Sequence, residues 1–110
     1  MKPFKFAFHG ILLAFKQRNF VIELTCGLIV ITTMPFLNYT NLEKAILFLI
    51  IFLVLSAETL NTAIEKTIDL ACPKPHKLAA QAKDLAAGAV LLLAICSLII
   101  ASLIILPKII

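Results

Sequence analysis

The chain has 110 residues, 62% of them hydrophobic, with a mean hydropathy of +1.07 and a formal charge of +4. That composition excludes an ordinary soluble domain and predicts a single small membrane domain over residues 1–110, with room for three or four spans of about 20 residues each. Cys26, Cys72 and Cys96 are odd in number and share no close spacing, which excludes a disulfide framework or zinc site and leaves them as small packing residues.

The first element is an amphipathic surface helix within residues 1–18. From Phe4 to Phe15, Lys5, His9 and Lys16 recur on one stripe, with Phe4, Phe8, Ile11, Leu12 and Phe15 largely elsewhere. The alternation of basic and aromatic residues at the start does not read as a cleavable signal peptide. A first span is expected over about 20–35, closed by Pro35 and the polar Asn38–Asn41 turn. A second, over about 42–62, opens at a capping box of Thr40 and Glu43, and its helix continues to Leu70, before Pro73 and Pro75. Residues 63–84 form a helical extension and loop. The third helix begins near His76 or Lys77 and spans about 85–106, with a small-residue patch at Ala86–Ala89 that suits close helix contact.

Eight of the ten basic residues, Lys2, Lys5, Lys16, Arg18, Lys66, Lys74, Lys77 and Lys83, fall before the first span or between the second and third. Lys44 and Lys108 flank the opposite ends. The asymmetry places the N-terminus and the 63–84 loop in the cytoplasm and makes nucleic acid an unlikely partner.

One stretch breaks the apolar pattern. No charge occurs from Ala45 to Ala57; then Glu58, Asn61, Glu65 and Asp69 follow at spacings of three, four and four, which puts them on one helix face. Acids at a membrane edge are costly, and the bland reading, a solvated helix end, is the weaker one. Two carboxylates joined by an amide suit a hard cation such as Mg²⁺, which takes oxygen ligands and substrate phosphates. Glu58 is the deeper acid and suits a base that accepts a proton from a lipid hydroxyl; Glu65 suits the metal. Lys83 suits phosphate oxygens and Asp84 a sugar or base, although Lys83 is equally an ordinary interfacial anchor. Glu23, one turn into the first span, either faces the same site or reaches back to the membrane surface.

The paired motifs Glu58-Thr-Leu-Asn61-Thr-Ala-Ile-Glu65-Lys-Thr-Ile-Asp69 and His76-Lys-Leu-Ala-Ala-Gln-Ala-Lys83-Asp84-Leu-Ala-Ala-Gly88 resemble the signature of the bacterial diacylglycerol kinase family, small three-span membrane lipid kinases. The resemblance implies an all-α fold of three transmembrane helices plus a surface helix, assembled as a homotrimer in the bacterial inner membrane with sites between subunits. It implies Glu58 as catalytic base, Glu65 as ligand of the catalytic Mg²⁺, Asn61 as the asparagine of the site, and Lys83 and Asp84 as nucleotide contacts with His76 near the base. Glu65 also faces the nucleotide, and Asp69 matches a further acidic position. Gln17 stands where the family usually brings a second metal-binding glutamate, so Gln17 or Glu23 completes the metal site, or turnover is weakened.

The expectation is therefore an enzyme that uses ATP and Mg²⁺ to phosphorylate diacylglycerol to phosphatidic acid. Undecaprenol is the alternative acceptor on the same scaffold. The alternative of another class is a non-catalytic membrane protein, such as an ion-conducting or regulatory subunit.

Overall fold

Thr40 adopts an extended backbone and starts a long helix through two reciprocal bonds. Its N–H donates to Glu43 Oε1 at 2.8 Å, and Glu43 N–H donates to Thr40 Oγ1 at 3.1 Å. This is the capping box the sequence predicts, and the helix it opens runs to Ala71, where Pro73 and Pro75 forbid continuation. The computed structural model describes residues 2–110 as four helices, α1 Lys2–Ala14, α2 Arg18–Thr33, α3 Asn41–Ala71 and α4 Lys77–Ile109. No strand occurs among the described residues, in keeping with the all-α expectation.

α3 and α4 form an antiparallel hairpin that is tied at both ends. Asp69 pairs with Lys83 beside the turn, and Lys108 pairs with Glu43 at 2.9 Å at the far end. Both helices are long and apolar enough to cross a membrane. At 31 and 33 residues they extend about 46 and 50 Å, more than the ~30 Å of a hydrocarbon core, so part of each stands outside it. α2 has 16 residues, about 24 Å, the same length as the span expected over about 20–35 but set two residues earlier, because the turn begins at Met34.

α2 packs on α3 through Gly27. A Cβ there would sit 2.8 Å from Ile51 Cγ2, so only glycine permits this approach without displacing Ile51. Gly88 is the opposite case: among the described residues nothing lies within 4 Å of its missing Cβ. α1 keeps both of its stripes exposed, Lys5 and His9 as well as Phe4, Phe8, Ile11 and Leu12, as a helix lying on a surface would. An edge-to-face contact between Phe15 and Phe20, 5.2 Å between ring centres, clasps the turn from α1 into α2.

The dry core lies at the Tyr39 end of the bundle. Leu47 is fully buried there with Tyr39 and Ile50, and Val30, Met34, Ile100, Ile104 and Ile105 pack around them. The buried polar residues Glu58 and Asn61 lie toward the other end.

Candidate functional site

Glu58 and Asn61 are the two buried polar residues among those described, 5% and 7% exposed. They face inward because they continue, at helical spacing, the face of α3 that carries Leu47, Ile50 and Val54 into the core. Asn61 Nδ2 donates to Glu65 Oε1 at 2.9 Å, so the predicted stripe is a connected set of side chains. Glu65 itself lies on the exposed side. Thr62 donates its hydroxyl proton to the Glu58 carbonyl at 3.1 Å, which leaves its lone pairs for the cleft.

Two cavities lie beside this stripe. A polar cleft of about 160 Å³ is lined by Gln17, Arg18, Asn19, Glu58, Thr62 and Glu65. A second, apolar cavity of about 250 Å³ runs between α2, α3 and α4 from Glu23 past Gly27, Val54 and Ile50 toward Ala101. Glu23 closes the end of this apolar cavity and stands against the carboxyl of Glu58. Of the two orientations the sequence leaves open for Glu23, the structure takes the inward one.

The oxygens at this junction are under-satisfied. Glu23 Oε2 and Asn61 Oδ1 are buried without a hydrogen-bond partner. Orphaned buried oxygens beside several carboxylates are a donor set for a hard cation with water or phosphate ligands. Among the described residues, however, no three His, Cys, Asp or Glu side chains converge as a ready ligand cage. Glu58, Asn61 and Glu65 supply oxygens, and Gln17 brings an amide to the same cleft where a glutamate was looked for.

The second motif is divided between two faces. Lys83, Asp69 and His76 line a separate cavity around the Pro73–His76 turn. Asp69 hydrogen-bonds Lys83 and holds its ammonium above the usual lysine range, with Glu65 adding a weaker attraction, so Lys83 looks toward the acidic stripe. His76 is the N-cap of α4: its Nδ1 accepts from Leu78 N–H at 3.1 Å, which leaves Nε2 for any ligand. Asp84, one residue after Lys83, turns by about 100° and faces a different hollow with Gln81, Leu85 and Gly88. Within one chain, then, Glu58, Asn61, Glu65 and Gln17 come together, and Lys83, His76 and Asp69 form a neighbouring group. Asp84 joins neither.

Three features were missed from sequence. Arg18 and Asn19 line the carboxylate cleft, and Asp69 is the partner of Lys83. A signal for the ion pair did exist: Asp69–Lys83 and Glu43–Lys108 are both centred on the turn at residues 75–76, as an antiparallel hairpin requires.

A family model described as prokaryotic diacylglycerol kinase matches residues 5–105. A Synechocystis sp. protein named diacylglycerol kinase is 43% identical over 106 residues, which cover 94% of this chain and 61% of that protein. The chain thus spans about three fifths of that relative's length. An undecaprenol kinase of Bacillus subtilis is 45% identical over 92 residues, 84% of this chain and 75% of that protein.

Proposed function

The chain belongs to the prokaryotic diacylglycerol kinase family, and on that premise we propose that it is a membrane lipid kinase, transferring the γ-phosphate of ATP to the hydroxyl of diacylglycerol to give phosphatidic acid. The observation that carries this reading is the position of Glu58. Buried Glu58 lines a polar cleft fit for phosphate and stands against Glu23, which lines an apolar cavity fit for a lipid chain.

In this reading the lipid hydroxyl reaches Glu58 from the apolar side and gives up its proton to that carboxylate. The lipid oxygen then bonds to the γ-phosphorus as the bridging bond to the β-phosphate breaks, and ADP leaves. Positioning and electrostatics carry most of such a transfer. Glu65 and Asn61, with Gln17 or Glu23 nearby, would hold Mg²⁺, whose charge would neutralise the phosphates. Lys83 would add a second cation, kept protonated by Asp69. His76 Nε2 and Asp84 are the groups left for the nucleoside. Asp84 stands apart from the carboxylates of its own chain, which supports a homotrimer with sites shared between copies, the open Ala86–Ala89 patch serving as contact.

The same reading places the protein in the bacterial inner membrane. Spans run over about 20–35, 42–62 and 85–106, and the N-terminus and the 63–84 segment face cytoplasmic ATP. Undecaprenol is the second acceptor to consider, because the Bacillus subtilis relative named for it is as similar to this chain as the diacylglycerol kinase.

The test is transfer of labelled phosphate from ATP·Mg²⁺ to diacylglycerol and to undecaprenol by the purified protein. A labelled lipid is expected from wild type and not from Glu58→Gln. Equal labelling by both would remove Glu58 from the base role, and no labelled lipid at all would favour a non-catalytic membrane protein.

A further inference from the structure

The polar cleft contains a cation that neither motif supplies. Arg18 is the first residue of α2 and lines the cleft together with Glu58, Thr62 and Glu65. It is the one cationic side chain of that lining, and among the described residues it forms no ion pair. Arg18 therefore shares a cleft with Glu58 and Glu65, and its exposed side chain is engaged by neither. The backbone adds to this. Gln17, the N-cap, makes no side-chain bond to the helix, so the N–H groups of the first turn keep their capacity to bind an anion. Lys83 lies outside this cleft, beside Asp69 in a different cavity of the same chain.

The identity of residue 17 gives the arrangement its logic. A glutamate there would add a third negative charge to Glu58 and Glu65 and would call for more metal. Gln17 is neutral, and the next residue is positive, so the cleft carries two negative charges and one positive. Such a site has less capacity for cations and a built-in donor for phosphate oxygens. Arginine suits this task, because its planar fork pairs with phosphate through two parallel hydrogen bonds and stays charged at every working pH.

We propose that Arg18 binds the γ-phosphoryl group during transfer and stabilises the charge that develops on it between the lipid oxygen and ADP. The inference rests on the lipid-kinase reading above and names one more residue for it. No new bond to carbon or nitrogen is made: Arg18 donates hydrogen bonds, the proton of the hydroxyl still goes to Glu58, and ADP is still the leaving group.

The experiment compares wild type, Arg18→Ala, Arg18→Lys and Lys16→Ala in lipid bilayers, with labelled ATP and diacylglycerol or undecaprenol. Failure of wild type with both lipids would refute the lipid-kinase reading and, with it, this one. Given an active wild type, Arg18→Ala is expected to lose kcat by on the order of 10²–10³ while its ATP affinity, measured by equilibrium binding, changes far less. Arg18→Lys should keep part of the rate, and Lys16→Ala nearly all of it. Added guanidinium ion should restore part of the Arg18→Ala rate, which a merely structural arginine would not allow. Arg18→Ala turnover within about threefold of wild type would overturn the assignment while leaving the kinase reading intact. Loss of ATP binding together with turnover, or a loss that guanidinium does not relieve, would likewise overturn it.

Discussion

The two ends of the α3–α4 hairpin solve opposite problems. At the Tyr39 end nearly every polar group is satisfied. Thr40 and Glu43 cap each other, Glu43 also holds Lys108, Tyr39 OH and Thr33 Oγ1 are 3.0 Å apart, and Lys108 lies over the Tyr39 ring at 5.9 Å. Beneath this latch sits the dry core around Leu47. At the other end two acids stand against each other in the interior and two buried oxygens have no partner. An unpaired buried polar group costs about 1–3 kcal/mol, so that end is held together at the expense of local stability. A chain that closes one end so fully could close the other. That it does not supports the proposed site at this end.

The comparison can be broken most severely at Glu58. Glu58→Met replaces a buried carboxyl by an apolar side chain of similar length. Lipid phosphorylation should fall by on the order of 10²–10⁴, the usual worth of a general base. The thermal unfolding midpoint in detergent should rise, because a buried ionisable group is exchanged for packing. A variant that lost activity and stability together would contradict the contrast drawn here.

Gly27→Val attacks the joint between the ends. Its side chain would meet Ile51, forcing α2 from α3 at a cost of about 1–3 kcal/mol. Both the unfolding midpoint and the transfer rate should drop, since α2 carries Gln17, Arg18 and Glu23 to the site.

Thr40→Ala probes the latch alone. Loss of the cap should cost ~1 kcal/mol in unfolding while kcat stays within about twofold of wild type.

The smallest effect is expected from Asp69→Asn. Asp69 holds the Lys83 ammonium above its ordinary value of 10.5, so the pair's contribution is complete below that pH and fades as pH rises through the raised value. Removing the carboxylate should leave ATP affinity little changed near neutrality. It should move the alkaline loss of affinity to lower pH, which a KM profile for ATP from neutral to strongly alkaline solution would show. An unshifted profile would separate Lys83 from the phosphates.

Much of this was legible in the sequence because it is local. The capping box at Thr40, the stop at Pro73 and Pro75 and the shared face of Glu58, Asn61 and Glu65 follow from spacing along one helix. The inward turn of Glu23, the arrival of Arg18 beside Glu58 and the separation of Asp84 from Lys83 depend on how helices pack. His76 shows the same boundary: its place in the motif is legible in the sequence, whereas the use of its Nδ1 to cap α4 is seen only in the fold.

α3 has a consequence for the membrane itself. The uncharged stretch Ala45–Ala57 and the acids Glu58 and Glu65 ride on one unbroken rod, with no hinge between anchor and chemistry. Whatever fixes the rod's vertical position fixes the depth of the carboxyls, and hydrophobic matching to the surrounding lipids is what fixes it. A thicker leaflet would draw Glu58 below the plane where water and phosphate meet it; a thinner one would lift it out among the headgroups. The acyl-chain length of the host bilayer should therefore set the depth at which these carboxyls work.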